Sequence, residues 1–222
     1  TTGWAQVSAG LNSTCAVRTD TTLYCWGANG AGQLGNNGTT TATAPTQVTT
    51  TTSDTGWSAV SVGAGFACGL RTNTLFCWGD NTSGQLGNNS TAQANVPTAV
   101  SSGTYSTVAL GTAHTCAIST TGTLWCWGSG TDGRLGTGGT TTKKVPVQIG
   151  SDSTWRTVSA GYSHTCATRT GPSTWCWGNN DYGQLGLGDT TDRSTPTQLS
   201  VTGRPVEVGS TSNTTVLIDP SL

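Results

Sequence analysis

The chain reads as an all-β protein of four propeller-type blades, each about 50 residues long, followed by half of a fifth. Three observations predict this. A Trp-Gly pair recurs at Trp26, Trp78, Trp127 and Trp177, at intervals of 52, 49 and 50 residues. Eight cysteines fall into four pairs in step with it. The composition is poor in charge (9%) and rich in Gly, Trp and Thr, with Thr about a fifth of the residues. β-Branched and aromatic side chains favour a pleated surface. The whole of 1–222 is expected to form one repeat domain, with repeats at about 1–53, 54–102, 103–152 and 153–201 and a half repeat at 202–222.

Each repeat opens on an alternating run: WAQVSAG from Trp4, WSAVSVGAG from Trp57, YSTVALG from Tyr105 and WRTVSAG from Trp155. Its small residues suit a crowded inner strand, where glycine lets two backbones approach closely. A hairpin bracketed by cysteines follows, and then a turn: WGANGAGQLG, WGDNTSGQLG, WGSGTDGRLG or WGNNDYGQLG. The glycines of GQLG are expected to supply the positive φ of a tight turn. Each repeat ends in a Thr-rich stretch and a Pro-containing strand, such as Ala44-Pro45-Thr46-Gln47-Val48 or Thr195-Pro196-Thr197-Gln198-Leu199. Short runs punctuated by Gly, Asn and Pro give three or four strands per repeat and no helix.

The cysteine pairs are Cys15/Cys25, Cys68/Cys77, Cys116/Cys126 and Cys166/Cys176. If Cys15 faces Cys25, Arg18 faces Thr22 and a three-residue turn closes around Asp20. The shorter Cys68/Cys77 spacing gives a two-residue turn at Thr72-Asn73. Facing positions on neighbouring strands bring Cβ atoms within disulfide reach. Zinc sites prefer ligands two to four residues apart, and the chain has no C-x-x-C. Four cross-strand disulfides are the favoured reading, and they point to an oxidising, extracellular or cell-surface setting.

The net charge is −1. Nucleic-acid binding rests on clustered Lys and Arg that displace phosphate counterions. The single adjacent basic pair, Lys143-Lys144, reads as a solvated turn. No apolar run approaches the length of a membrane span. The chain has no Met, which fits a processed chain or a piece of a longer one.

The combination W-x-x-V-x-A-G, L-x-C-W-G, G-Q-L-G and P-x-x-V, repeated four times over residues 1–200, resembles the regulator of chromosome condensation repeat family. The resemblance implies a propeller, in that family usually of about seven blades. This chain departs from the pattern in having fewer repeats and regular cysteines. The family's namesake is a nucleotide-exchange factor for a small nuclear GTPase, a role that disulfides oppose. The resemblance also includes a secreted inhibitor of β-lactamases.

A search for chemistry returns structural readings. His114 and His164 stand two residues before a repeat cysteine, where the other repeats have Ser13 and Phe66. A position that accepts Ser and Phe serves packing, and the resemblance, in which a histidine is common here, agrees. The acids (Asp20, Asp54, Asp80, Asp132, Asp152, Asp181, Asp189, Asp192, Glu207 and Asp219) are scattered among turns, with no pair singled out for glycoside chemistry. Asp189 and Asp192 with Asp181 lack the ordered spacing of a calcium loop. Trp26, Trp78, Trp127 and Trp177 are expected at a core or blade interface, and Trp125 and Trp175 in packing. No catalytic site, metal or cofactor is expected. N-x-S/T sequons start at Asn12, Asn37, Asn81, Asn88, Asn89 and Asn213 and are candidate glycosylation sites.

After Leu199 the chain enters a run from Pro205 to Ile218 that resembles the opening half of a fifth repeat without its cysteine or its WG strand. An open or intermolecularly completed arrangement follows as an expectation, since an unpaired strand edge invites another chain. The expected function is a non-catalytic extracellular scaffold that makes protein contacts, including contacts with copies of itself as a surface or fibre subunit. The alternative is a soluble secreted binder, either a protein inhibitor or a glycan-binding lectin.

Overall fold

A computed structural model describes residues 3–49, 54–171, 173–200, 207–211 and 214–218. Blade 1 is β1 (Trp4–Ala9), β2 (Ser13–Arg18), β3 (Leu23–Gly27) and β4 (Ala42–Gln47). Blade 2 is β5 (Trp57–Val62), β6 (Phe66–Arg71), β7 (Thr74–Gly79) and β8 (Ala94–Ala99). Blade 3 is β9 (Tyr105–Leu110), β10 (His114–Ser119), β11 (Leu124–Gly128) and β12 (Lys143–Gln148). Blade 4 is β13 (Trp155–Ala160), β14 (His164–Arg169), β15 (Ser173–Gly178) and β16 (Arg193–Gln198). A two-stranded sheet, β17 (Glu207–Thr211) and β18 (Thr214–Ile218), completes the order. Each blade is an antiparallel sheet whose strands lie side by side in chain order. One short 3₁₀ turn at Thr131–Gly133 is the helical segment among the described residues.

The middle hairpin carries the register. Cys15 faces Cys25, Cys68 faces Cys77, Cys116 faces Cys126 and Cys166 faces Cys176. Each pair is joined as a disulfide, with Cα atoms 4.1 Å apart. The turn lengths follow. The Arg18 amide donates to the Thr22 carbonyl around Asp20. Arg71 pairs with Thr74, so Thr72 and Asn73 form the loop, both at positive φ (50° and 62°). That is the mirror-image turn whose twist matches a hairpin.

The outer strand is the irregular one. Pro45, Pro97, Pro146 and Pro196 stand near the middle of β4, β8, β12 and β16, where the pairing with the third strand shifts register. Proline cannot donate to a ladder, so it belongs on such an edge. Lys143-Lys144 differs from expectation: the pair opens β12 instead of forming a turn, and on this outer strand Lys144 is exposed and Lys143 half-buried.

Blades pack face to face in sequence, and the core lies between them. Trp57, Trp78, Tyr105, Phe66, Trp127 and Trp177 are fully buried. Trp57 meets Trp78 at 5.9 Å and Trp155 meets Trp177 at 6.3 Å, both edge-on, the geometry aromatic quadrupoles favour. The sheets form an open arc: β1 meets β5 of blade 2 through Gln6 and Ser8, while among the described residues no sheet covers its other face, which carries Trp4 and Val7.

Candidate interaction surface: the joint between blades

The inner strands end in Gly10, Gly63, Gly111 and Gly161. A Cβ on Gly10 would lie 2.1 Å from the Gly63 carbonyl oxygen, one on Gly63 2.7 Å from that of Gly111, and one on Gly111 2.6 Å from that of Gly161. Consecutive blades therefore touch backbone to backbone at the axis, and only glycine fits. Here the turns after β1, β5, β9 and β13 line a shallow concavity of about 440 Å³, beside exposed Leu11 and Tyr162.

The G-Q/R-L-G turn builds the rest of the joint. Its glycines do take positive φ, as at Gly32 (72°) and Gly35 (64°). Asn29 pins the loop: its amide nitrogen donates to the Asn36 side chain and to the carbonyls of Gly38 and Thr40, while its Oδ1 accepts from the Leu34 amide. Asn81 and Asn180 repeat the pattern. These buried asparagines were missed from sequence, although W-G-x-N recurs in three repeats. In the third repeat Gly130 replaces the asparagine, and Arg134 secures that loop by donating to the Thr131 carbonyl and to Asp132.

The candidate glycosylation asparagines differ in their surroundings. The Asn81 amide nitrogen is buried and donates inside the loop to Asn88 and to the carbonyls of Ser90 and Ala92. Asn12, Asn37 and Asn89 are exposed, Asn88 is half-buried, and Asn213 lies outside the described residues.

The pinned turn presents one main-chain carbonyl to the next blade. The Gln33 carbonyl accepts from the Trp78 indole. The Gln85 carbonyl accepts from the Trp127 indole and the Thr115 hydroxyl. The Arg134 carbonyl accepts from Thr165, and that of Gln184 from Thr215. The last glycine of each turn is the seat of the indole: a Cβ on Gly35, Gly87 or Gly136 would lie within 2.8 Å of the ring of Trp78, Trp127 or Trp177.

The histidines belong to the same joint. His114 Nε2 lies 2.9 Å from the Thr165 hydroxyl, and His164 Nε2 lies 2.9 Å from that of Thr215. Burial drives the His114 pKa down to about 3, aided by the charges of Arg134 and His164. Burial brings His164 to about 4. Both are neutral bridges between blades at physiological pH. Among the acids, hydrogen bonds from Thr22 hold Asp20 below the usual carboxylate range. Hydrogen bonds from the Thr191 amide and from Arg193 do the same for Asp189. Asp192 accepts from the Asn180 amide. Trp125 and Trp175 are half-buried: the Trp125 indole donates to Thr123, and Trp175 meets Trp155 edge-on with Arg169 over its ring.

Among the described inner strands of the four blades, that of blade 1 shows its joint to solvent. Trp4 and Val7 are 52% and 64% exposed, whereas Trp57, Tyr105 and Trp155, which stand where Trp4 does, are 1–2% exposed.

Comparison with known proteins places these features in a family. A family model described as "Regulator of chromosome condensation (RCC1) repeat" matches residues 20–70, 73–118, 121–168 and 173–218. A second model of that description matches 4–33, 57–85 and 155–184. Human WBSCR16 is similar in structure, with TM-score 0.89, 23% identity, and coverage of 97% of this chain and 57% of that one. Prp20p from Saccharomyces cerevisiae, described with its binding properties to Gsp1p and histones, gives 0.83, 18%, 94% and 54%. The ectodomain of the Physcomitrella patens receptor kinase CR4 gives 0.55, 21%, 95% and 46%. The chain thus spans little more than half the length of the first two and slightly less than half of the third.

Proposed function

Given that the chain belongs to the RCC1 repeat family, we propose that it is a non-catalytic extracellular scaffold that makes protein contacts through the ends of its arc, joining copies of itself head to tail. The observation that carries this is the bare face of blade 1, where Trp4 and Val7 present to solvent a surface that the other blades bury. An exposed apolar patch of this kind marks an association site. A patch built to meet the other side of a neighbouring blade gives a heterologous contact that propagates. Four disulfides support an oxidising setting. The named relatives fit a binding role: Prp20p is described as binding Gsp1p and histones, and the CR4 likeness is to an ectodomain.

The test is sedimentation velocity over a thousandfold concentration range, with negative-stain microscopy of the assembled material. Growth into chains, weakened at least tenfold by Trp4→Ala, is the expected result. A strict monomer at every concentration overturns the reading. The second reading, a soluble binder, is favoured by the concavity at the axis with Leu11 and Tyr162 on its rim. It predicts a monomer that captures one partner and loses it on Tyr162→Ala.

A further inference from the structure

We propose that the cavity between the end of β12 and blade 4, walled by Trp155 and Arg169, binds a small carboxylate that carries a short apolar body. The cavity measures about 380 Å³, within the size range of small-molecule sites. It shares no residue with the concavity at the axis, and it does not depend on head-to-tail association.

The same place is closed at the two earlier joints. The Thr49 amide donates to the Gly35 carbonyl, and the Ser101 amide to the Gly87 carbonyl. In blade 3 Gly150 stands where Thr49 and Ser101 do, at φ 65°, and no bond from its amide to the Gly136 carbonyl closes the gap. A Cβ on Gly150 would meet nothing within 4 Å. The wall differs as well. Tyr105, at the position of Trp155, spends its hydroxyl on the Ser102 carbonyl. Ser119 pairs with Tyr105 as Arg169 pairs with Trp155, so the joint between blades 2 and 3 carries no cation here.

Four N–H donors of blade 4 are buried without an acceptor: the indoles of Trp155, Trp175 and Trp177, and Arg169 Nε. Trp155 and Arg169 line the cavity, and Gly136, also in its wall, is the seat of Trp177. A buried donor with no acceptor is costly, so the complement of this wall is rich in acceptors. Arg169 makes it an anion. Its Cζ lies 4.2 Å from the ring centres of both Trp155 and Trp175, in the corner that the two indoles form at 72°. A planar carboxylate engages a guanidinium through two parallel bonds. Asp152 takes one nitrogen, Nη2, at 2.9 Å and leaves Nε without an acceptor.

The body of the ligand follows from the rest of the wall, where Val147, Ile149 and Pro196 present hydrocarbon. No ring face is offered to a sugar, because Trp155 is 2% exposed and packed against Trp175, Trp177 and Arg169. The entry is Arg169 itself. Its side chain is 21% exposed, whereas the indole nitrogens behind it are sealed from solvent. The guanidinium meets the carboxylate first, and the Trp155 indole donates to it as Arg169 turns. Asp152, half exposed, competes for the same cation.

Titration of the full chain with sodium isocaproate, followed by NMR of isotope-labelled indole N–H groups, tests this. The Trp155 signal, assigned by its loss in Trp155→Tyr, should move saturably, while that of Trp127, already bonded to the Gln85 carbonyl, should hold still. Neutral isocaproamide at equal concentration, and sodium chloride at equal ionic strength, should leave both in place. Arg169→Ser, the residue blade 3 has here, should weaken binding about tenfold or more. Asp152→Asn, which removes the competing carboxylate, should tighten it about threefold, a gain that damage to the fold does not produce. Acetyl-glycyl-leucine, set against its C-terminal amide, tells a peptide C-terminus from a free acid by which carboxylate binds more tightly. The proposal is overturned if neither carboxylate moves the Trp155 signal, if the amides move it as far, or if Asp152→Asn weakens binding. Each of these outcomes is independent of whether the chain self-associates.

Discussion

At the scale of single residues, the joint concentrates its consequences in two histidines and a ring of glycines. His114 and His164 are neutral in the fold because burial lowers their pKa to about 3 and about 4, against about 6.5 in an unfolded chain. Below pH 6.5 the unfolded chain therefore binds protons that the folded chain refuses. Stability should decline as pH falls from about 6.5, and the decline should continue to about pH 4 for His164 and about pH 3 for His114, at up to roughly 1.4 kcal/mol per unit for each histidine. Thermal melts from pH 7.5 to 3.5 check this. His114→Gln should flatten the slope, and an unchanged slope would remove the histidines from the explanation. The packing role of these residues was legible in the alternatives Ser13 and Phe66. Their bridge to the next blade was not, because it joins positions 51 residues apart.

At the scale of elements, the hairpin is where sequence spoke most clearly. Cysteine spacing set the register, and the one-residue difference between Cys68/Cys77 and the other pairs set the turn type. The loop after the WG strand was less legible. Its glycines were read correctly, but Asn29, Asn81 and Asn180 look like ordinary turn asparagines until the fold shows each amide buried. A sequon carries no information about burial, so the buried Asn81 and the exposed Asn12 look alike in sequence. The turn at Thr72-Asn73 offers a direct test. Thr72 is β-branched at φ 50°, a conformation that asparagine tolerates better. Thr72→Asn should raise unfolding stability by about 1 kcal/mol, read as a shift in denaturant midpoint at unchanged slope. A lower midpoint would show that the methyl group packs against its neighbours.

At the scale of the molecule, each blade rests on its neighbours in the chain, so stability is a sum of blades and joints, as in a linear repeat array. Trp177→Ala empties the joint between blades 3 and 4 and should cost about 3–5 kcal/mol. Hydrogen exchange should report the loss in blade 4 and the half-blade while blades 1 and 2 keep their protection. Uniform loss would mean that the arc melts as one body. The four-strand blade was legible from the repeat. The open arc was expected from the leftover half repeat, but the unlike faces at its two ends needed coordinates, since Trp4 and Trp155 look alike in sequence and differ only in what covers them.

The family's repeat frame is offset from the sheets. Residues 73–118 supply β7 and β8 to blade 2 and β9 and β10 to blade 3, and the other matches straddle blades in the same way. Three of the four covalent units thus carry both sides of a joint, the carbonyl of Gln85, Arg134 or Gln184 and the receiving Thr115, Thr165 or Thr215, whereas the Gln33 carbonyl of the first unit is met by Trp78 of the second. A gene that duplicates one such unit in tandem lengthens the arc by one blade and copies a working joint with it, leaving no half-finished sheet behind. Growth by duplication is then nearly free of folding risk, and the number of blades becomes a quantity that selection can count up or down.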